Sequence, residues 1–300
     1  MILPDLAELS GLRGAVRGLS LRAHRPAMAQ LQGGHRCAQR GRGLEFEEVR
    51  LYTAGDDTRN IDWRVTARRG KTHTKLFREE RERPVWLVAD LHAGLYFGSR
   101  RQFKSSVLLR TAAMLAWVAA QGGDRVGAVI TNGDRAPLIF PPRGREAGVL
   151  PVLQALIEAQ PRTPGMPARG GLLNAVTTLR PLLQPGSLVL MLSDFAEFDT
   201  ATEEIIASAN QHSDIRMLWI TDPLESGGLP TGTYRVGLPD RLWWMNGEDT
   251  RTQWQKTWQA REQQLKDSAL KLNLPLSKLS THDAVIETMI ALLKEPKWAA

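Results

Sequence analysis

Short runs of mostly apolar residues recur along the chain, and an acidic residue follows three of them. Runs of this length with few polar residues are typical of strands buried on both faces of a parallel sheet. The runs and their acids are residues 85–89 with Asp90, residues 187–193 with Asp194, and residues 215–221 with Asp222.

Between and after these runs, apolar residues recur every three or four positions, which predicts amphipathic helices. The predicted helices cover residues 3–12, 103–121, 149–159, 172–183, 202–210, 252–272 and 284–293. Further short strands are predicted at residues 126–130, 137–141, 234–238, 241–245 and 274–279, the second as the hairpin partner of the first. Strands that alternate with helices predict an α/β fold with a doubly wound, mostly parallel, Rossmann-type sheet.

The three acids share one place in this predicted sheet. In open α/β sheets, the carboxyl ends of the parallel strands form the functional edge. Asp90, Asp194 and Asp222 each follow directly after a predicted strand. We therefore expect them to lie at that edge.

A dense set of motifs precedes the first of these strands. It reads Gly43-Leu44-Glu45-Phe46, Arg50-Leu51-Tyr52, Gly55-Asp56-Asp57-Thr58-Arg59-Asn60-Ile61-Asp62-Trp63-Arg64, Ala67-Arg68 and Lys75-Leu76-Phe77-Arg78-Glu79-Glu80. This order of motifs resembles the signature of the bacterial domain of unknown function 58 family. Together with the α/β pattern that follows, the resemblance covers most of the chain.

The resemblance implies a von Willebrand factor A-like domain at residues 85–300, preceded by a basic arm and signature subdomain at residues 1–84. Many members of the family are encoded beside a MoxR-type AAA+ ATPase. The resemblance therefore implies a non-enzymatic binding or adaptor module that is a partner of such an ATPase in the maturation or assembly of protein complexes.

A von Willebrand A domain binds Mg²⁺ through an Asp-x-Ser-x-Ser loop, a later Thr and a later Asp, all of them hard oxygen ligands. In this sequence His92 and Gly94 replace the two serines, residues 168–173 supply no Thr, and Asp90 and Asp194 remain. Imidazole is a softer ligand than a hydroxyl. The sequence favours no metal cofactor, with weak Mg²⁺ binding or a transition metal at Asp90, His92 and Asp194 as alternatives.

Two groups of residues are predicted to carry binding or structural roles. The partner-binding face is predicted to consist of Asp90, His92, Gly94, Asp194 and Asp222. The alternating acids and bases of the signature predict a clamp, a network of salt bridges that holds the signature region to the core with Trp63 as apolar anchor. The reason is that Arg pairs bidentately with carboxylates. The alternative is that the acids are paired catalytic carboxylates. The clamp residues are Arg50, Tyr52, Gly55, Asp56, Asp57, Arg59, Asp62, Trp63, Arg68 and Lys75.

Charge adds one competing hypothesis and composition adds a compartment. The chain has a net charge of +7, and the arginines up to Arg42 outnumber Asp5 and Glu8. These arginines indicate either a solvated face or an anionic partner such as nucleic acid. One cysteine, Cys37, and the absence of a signal-peptide pattern or a membrane-length apolar run predict a cytoplasmic protein.

A metal-dependent hydrolase that uses Asp90 and Asp194 is the third hypothesis for function. The sequence contains no phosphate-binding P-loop, no His-Glu-x-x-His motif and no nucleophile elbow. Binding to a protein partner is therefore preferred over both alternatives.

Overall fold

The computed structural model describes residues 2–21, 44–53, 56, 58–79, 82–133, 135–166, 170–238 and 241–295. The helices are α1 (Leu6–Ala15), α2 (Trp63–Arg69), α3 (Lys104–Gln121), α4 (Glu146–Ala159), α5 (Gly171–Leu179), α6 (Thr200–Ala209), α7 (Pro223–Gly227), α8 (Gly247–Lys271) and α9 (Val285–Lys294). The strands are β1 (Leu44–Leu51), β2 (His73–Glu79), β3 (Pro84–Asp90), β4 (Arg125–Thr131), β5 (Leu138–Gly144), β6 (Leu188–Ser193), β7 (Asp214–Thr221), β8 (Thr233–Leu238), β9 (Arg241–Asn246) and β10 (Leu276–Ser280).

The chain divides into two compact units, one formed by Leu31–Glu82 and the other by Met1–Gln30 together with Arg83–Ala300. In the smaller unit, β1 and β2 pair antiparallel. Asp62 caps α2 by accepting hydrogen bonds from the backbone N–H groups of Arg64 and Val65. The helix ends at Gly70, whose φ of 68° is the left-handed conformation that glycine adopts at least cost.

The larger unit is built on a six-stranded sheet in the order β10-β7-β6-β3-β4-β5. Neighbouring strands are parallel except for β5, which pairs antiparallel with β4 as the hairpin partner predicted from the sequence. Numbered from β3 in chain order, the strands read 3-2-1-4-5-6 across the sheet, which is a doubly wound, Rossmann-type order. The predicted mixed α/β fold with a mostly parallel sheet is confirmed.

Helices cover both faces of this sheet. Alternate residues of β3 contribute to two separate apolar clusters: Val85 and Leu87 to one, Trp86 and Val88 to the other. Residues of α1, α3, α4 and α9 belong to the first cluster, and residues of α5, α6 and α8 to the second. Because both faces are buried, the central strands β3 and β6 read as nearly continuous apolar runs, and this is why the sequence located these strands.

Helix α1 belongs to the larger unit, where it packs against α3. Its N-cap is Asp5, whose carboxylate accepts a hydrogen bond from the N–H of Glu8. Leu9 is fully buried, and its carbonyl accepts a hydrogen bond from the indole of Trp117 at 3.1 Å. The predicted boundary after residue 84 between an N-terminal region and the α/β domain stays a prediction.

The region between β7 and β10 contains the strands β8 and β9, which form a two-stranded antiparallel sheet. It exposes Trp243 and Trp244, whereas Trp258 of α8 is buried and stacks on Trp219 with ring centroids 5.2 Å apart. The short helix α7 was not predicted, because five residues are too few for an apolar repeat to emerge. Within the described residues, no helix is long and apolar enough to cross a membrane.

The packing of α1 can be tested with two leucines of the same helix. We expect Leu9→Ala to lower the free energy of unfolding by about 3 kcal/mol, since it leaves a cavity in the core. Leu6, which is 38% exposed, is the matched control, and Leu6→Ala should cost less than about 1 kcal/mol. Urea denaturation followed by circular dichroism measures both; equal losses would contradict the observed packing of this helix.

Candidate functional site

The candidate site lies where the strand order reverses, at the carboxyl ends of β3 and β6. Asp90 is the last residue of β3, and Asp194 follows directly after β6. The two strands are parallel neighbours, with Ala89 opposite Leu192. In doubly wound sheets this reversal opens a crevice between loops, and ligands bind there. The sequence-based expectation that the acids lie at one sheet edge agrees with this arrangement.

Asp90 is buried and both of its carboxylate oxygens are occupied by neighbouring hydroxyls. Thr131, at the end of β4, donates to Oδ1 at 3.1 Å, and Ser193, at the end of β6, donates to Oδ2 at 2.7 Å. Burial raises the pKa of Asp90 above its usual value of 3.8, although the nearby His92 and the Ser193 hydroxyl act in the opposite direction. Asp90 therefore connects three adjacent strands at the sheet edge.

The carboxylate of Asp194 accepts hydrogen bonds from three groups. The ammonium of Lys104 donates to Oδ2 at 2.6 Å, and Oδ1 accepts from the backbone N–H of Ala196 at 2.9 Å and from Nε2 of His92 at 3.3 Å. Burial alone would raise the pKa of Asp194, but the charge of Lys104 and the hydrogen bond from His92 hold it well below its usual value. Asp194 is therefore an ionised carboxylate in the core.

Both side chains that bond to Asp194 are themselves buried. Burial acts to lower the pKa of Lys104, but the charges of Asp194 and Glu225 outweigh it and raise the pKa above 10.5. Burial also acts to lower the pKa of His92, but its hydrogen bond to Asp194 and the charges of Asp194 and Asp90 together outweigh this effect and raise the pKa above 6.5. Nδ1 of His92 has no hydrogen-bond partner among the described residues.

A second group of hydrogen bonds, centred on Asp222, joins the loop after β7 to the same cluster. Asp222 caps α7, and its carboxylate also accepts from the backbone and hydroxyl of Ser99 and from the hydroxyl of Thr281. Burial acts to raise the pKa of Asp222, but these hydrogen bonds lower it overall. Glu225 completes a capping box with Asp222 and accepts from Lys104 at 2.7 Å. Lys104 thus links the loops after β6 and β7.

The backbone immediately after Asp194 is in an uncommon conformation. Phe195 has a φ of 51°, the left-handed region that side-chain-bearing residues seldom adopt. It is fixed by a hydrogen bond from its N–H to the Ser193 hydroxyl at 2.8 Å. The carbonyl of Asp194 accepts from the indole of Trp219 at 3.0 Å and from Arg261 at 2.6 Å. The loop after β6 is therefore held in one shape by side chains from three other elements.

The loops around the cluster contact one another. Gly94 lies in a short 3-10 turn, Ala93–Leu95. A Cβ on Gly165 would lie 2.4 Å from the Cβ of Ala93, so the loop that follows α4 packs directly on this turn. The N–H of Gly170 donates to Glu197 at 2.7 Å, which joins that loop to the one after β6.

The structure revises the predicted partner-binding face. Asp90, His92, Asp194 and Asp222 do converge at one sheet edge, but all four are buried. Their polar atoms position loops, since the strand ends need internal acceptors for the hydroxyls and N–H groups that meet there. Gly94 is partly exposed. A partner could touch the surrounding loops but not these four side chains.

The candidate metal ligands Asp90, His92 and Asp194 lie close together and bond to other groups of the protein. Within the part of the chain that the structure describes, no three His, Cys, Asp or Glu side chains are grouped so that they could hold a metal ion. Asp90 and Asp194 bond to hydroxyls, an ammonium and an imidazole. In the loop 168–173, where a von Willebrand A domain would supply a Thr ligand, residues 168 and 169 lie outside the described residues.

The signature residues form a network within the smaller unit. Arg50 donates to Asp56 at 2.8 Å, and the second oxygen of Asp56 accepts from the N–H of Thr53 at 2.9 Å. The Nζ atom of Lys75 lies 3.6 Å from the carboxylate of Asp62. The hydrogen bond from the Thr53 N–H lowers the pKa of Asp56, and the Arg50 side chain adds to it. These contacts match the predicted alternation of acids and bases.

Other clamp residues are placed less tightly. The N–H of Tyr52 donates to the carbonyl of Thr72, Arg59 lies in the 3-10 turn Thr58–Asn60, and Arg68 lies in the last turn of α2. Trp63 is 69% exposed, which does not fit the expected role of a buried apolar anchor. Gly55 and Asp57 lie outside the described residues. The pinning of the signature region to the core stays a prediction.

Sequence reasoning missed Lys104, Ser193, Thr131 and Glu225. For Lys104 a signal was available, because it is a cation in the first turn of a nearly uncharged helix. A positive charge at that end opposes the helix dipole and needs a specific partner. No comparable signal marks Thr131, whose role depends on the pairing of β3 with β4.

Comparison with known proteins gives one family. The family model described as protein of unknown function DUF58 matches residues 48–264, which is more than half of the chain. Uncharacterized proteins of Mycobacterium tuberculosis and Mycobacterium bovis are 31% identical over 212 residues, 71% of this chain. The match spans 66% of those relatives' length, just under two thirds.

Several solved structures are similar at lower levels. A conserved hypothetical protein BatB from Bacteroides thetaiotaomicron has a TM-score of 0.41 at 8% identity, and covers 70% of this chain and 98% of its own. An aerotolerance-related membrane protein from Bacteroides fragilis has a TM-score of 0.42 at 11% identity, with 71% and 98% covered. The PilB minor pilin from Streptococcus sanguinis has a TM-score of 0.40 at 9% identity, and the match covers 77% of this chain and 66% of the pilin. Scores in this range carry no conclusion about function.

The depressed pKa of Asp194 predicts an acid-dependent loss of stability. A carboxyl whose pKa is lower in the folded state stabilises the protein above its unfolded pKa, near 3.8, and this contribution is lost as the pH falls. We expect the free energy of unfolding of the wild-type protein to fall on acidification. In the double variant Lys104→Met/Asp194→Asn, which removes both charges of the pair, this fall should be smaller than in wild type by on the order of 2 kcal/mol.

Urea titrations at a series of pH values measure this difference. Asp90, whose raised pKa acts in the opposite direction, is present in both proteins, so the comparison reports on the groups that contact Lys104 and Asp194. Identical pH dependence in the two proteins would show that Asp194 is not an ionised, paired carboxylate.

Proposed function

This chain belongs to the DUF58 family, and we propose that it is a non-enzymatic protein-binding module of von Willebrand factor A type. We further propose that its partner is a MoxR-type AAA+ ATPase and that the pair acts in the maturation or assembly of protein complexes. The partner follows from the family resemblance of the signature residues.

One observation carries the proposal: the carboxylate oxygens of Asp90 and Asp194 at the strand edge are all engaged inside the protein. Both oxygens of Asp90 accept hydrogen bonds from buried hydroxyls, and the two oxygens of Asp194 bond to the buried side chains of Lys104 and His92. A general base must reach the proton that it removes, and a nucleophile must reach its substrate. Carboxylates held in this way fix loop shape and are poorly suited to either role.

The sheet topology supports a von Willebrand-type module. The strand order reverses between β3 and β6, and open α/β sheets bind their ligands outside this reversal. The family resemblance independently implies a von Willebrand A domain in the same part of the chain. Both considerations favour the loops at this edge as the surface for a partner.

The surface that we propose for the partner, called the strand-end face, consists of exposed residues on the three loops over the buried cluster. They are Phe97, Arg100, Arg101, Met166 and Ala196. Met166 is 71% exposed, and apolar side chains surrounded by arginines are typical of binding hot spots. The arginines favour an acidic contact surface on the partner.

The two alternative functions are less well supported. Most of the N-terminal arginines proposed for nucleic acid lie in residues 22–43, outside the described residues, and Arg13 forms an ion pair with Glu146. A hydrolase would need Asp90 or Asp194 to activate water, and both are bonded to internal donors.

The proposal is tested by binding of the purified chain to the MoxR-type ATPase of the same organism. We expect Met166→Asp to weaken binding at least about tenfold, because it places a charge on an exposed apolar side chain of the proposed face. Leu270→Asp is the matched control, since Leu270 is also exposed, at 81%. It lies near the C-terminal end of α8, where the carbonyl of Leu272 accepts a hydrogen bond from Asn210. Asn210 precedes β7, so this position lies at the edge of the sheet opposite the strand-end face.

Two results would overturn the proposal in different ways. Absence of any binding by the wild-type chain would contradict the ATPase partnership. Binding that survives Met166→Asp but is lost in Trp244→Ser would move the contact from the strand-end face to the β8–β9 sheet, where Trp244 is 75% exposed.

A further inference from the structure

Lys104 is an unusual residue for its position in the fold. It begins α3, fifteen of whose eighteen residues are buried, and it is itself only 1% exposed. A buried ammonium loses its hydration, and a cation in the first turn is also opposed by the helix dipole. Lys104 therefore requires strong local compensation.

The compensation comes from two carboxylates on different elements. The Nζ atom of Lys104 lies 2.6 Å from Oδ2 of Asp194, after β6, and 2.7 Å from Oε1 of Glu225, in α7 after β7. Its backbone N–H donates to the carbonyl of Phe97 at 2.7 Å, which closes the loop after β3. One cation thus gathers the loops that follow three neighbouring strands.

Joining carboxylates from separate loops is the structural task of a divalent cation, and a von Willebrand-type fold implies one at this edge. The donor set here does not fit such an ion. Of the ligands that remain in the sequence, Asp90 has both oxygens on hydroxyls, and Oδ2 of Asp194 is already bonded to an ammonium. A divalent cation would have to enter beside a like charge that is fixed in the core.

We propose that the ammonium of Lys104 is a built-in cation that replaces the divalent ion at this sheet edge and fixes the loops of the strand-end face without metal. The charge and the reach that an ion would supply come from a side chain on α3. This inference goes beyond the proposed binding function and does not depend on which partner binds.

The experiment compares thermal melting of the isolated chain in EDTA, MgCl₂ and MnCl₂. Wild type should melt at the same temperature in all three. Lys104→Met, which keeps an unbranched side chain one atom shorter and removes the charge, should lower the melting temperature by about 10 °C, since it leaves buried carboxylates uncompensated.

Lys271→Met is the matched control, because Lys271 pairs with Glu203 at the same 2.6 Å distance but is exposed. It should change the melting temperature by less than about 3 °C. The proposal is overturned if Mn²⁺ or Mg²⁺ raises the melting temperature of wild type and Asp194→Asn removes that effect, or if Lys104→Met melts like Lys271→Met.

If Lys104→Met does not fold, the metal titration of wild type still decides the question, with Lys104→Arg as a variant that keeps the charge. None of these measurements involves the ATPase. Failure of the internal-cation inference therefore leaves the proposed partnership standing, and the reverse also holds.

Discussion

The ion pair between Lys104 and Asp194 is the interaction on which the functional edge of the sheet depends. Its two atoms lie 2.6 Å apart in the core, where the attraction between charges is weakly screened and an unpaired charge is costly. Asp194 is tied further to His92 and to the N–H of Ala196. The loop after β6 therefore has one favoured shape, and the adjacent loops are arranged around it.

This constraint explains why the strand edge is both charged and inaccessible. Four acids converge on it, Asp90, Asp194, Asp222 and Glu225, and each accepts a hydrogen bond from a residue distant in the sequence: Ser193, Lys104, Ser99 and Lys104, respectively. A network in which each carboxylate is engaged rigidifies its surroundings. Rigid loops present a pre-organised surface, which reduces the entropy lost on association. The buried cluster therefore supports binding indirectly, through the shape of the loops above it.

The sequence predicted the sheet well and the cluster poorly, for identifiable physical reasons. Residues 85–89 and 188–192 are apolar throughout because helices cover both faces of the sheet. The acids after these strands were therefore found at once. Their partners were not, because Thr131 and Ser193 meet Asp90 only through strand pairing, and Lys104 reaches Asp194 across ninety residues of sequence.

A crystal structure from crystals soaked in MnCl₂, with anomalous data collected to locate manganese, tests directly whether Lys104 takes the place of a metal ion at this edge. We expect Nζ of Lys104 at hydrogen-bonding distance from Asp194 and Glu225, and no anomalous peak among Asp90, His92 and Asp194. An anomalous peak between Asp90 and Asp194, with Lys104 turned away from both acids, would contradict it.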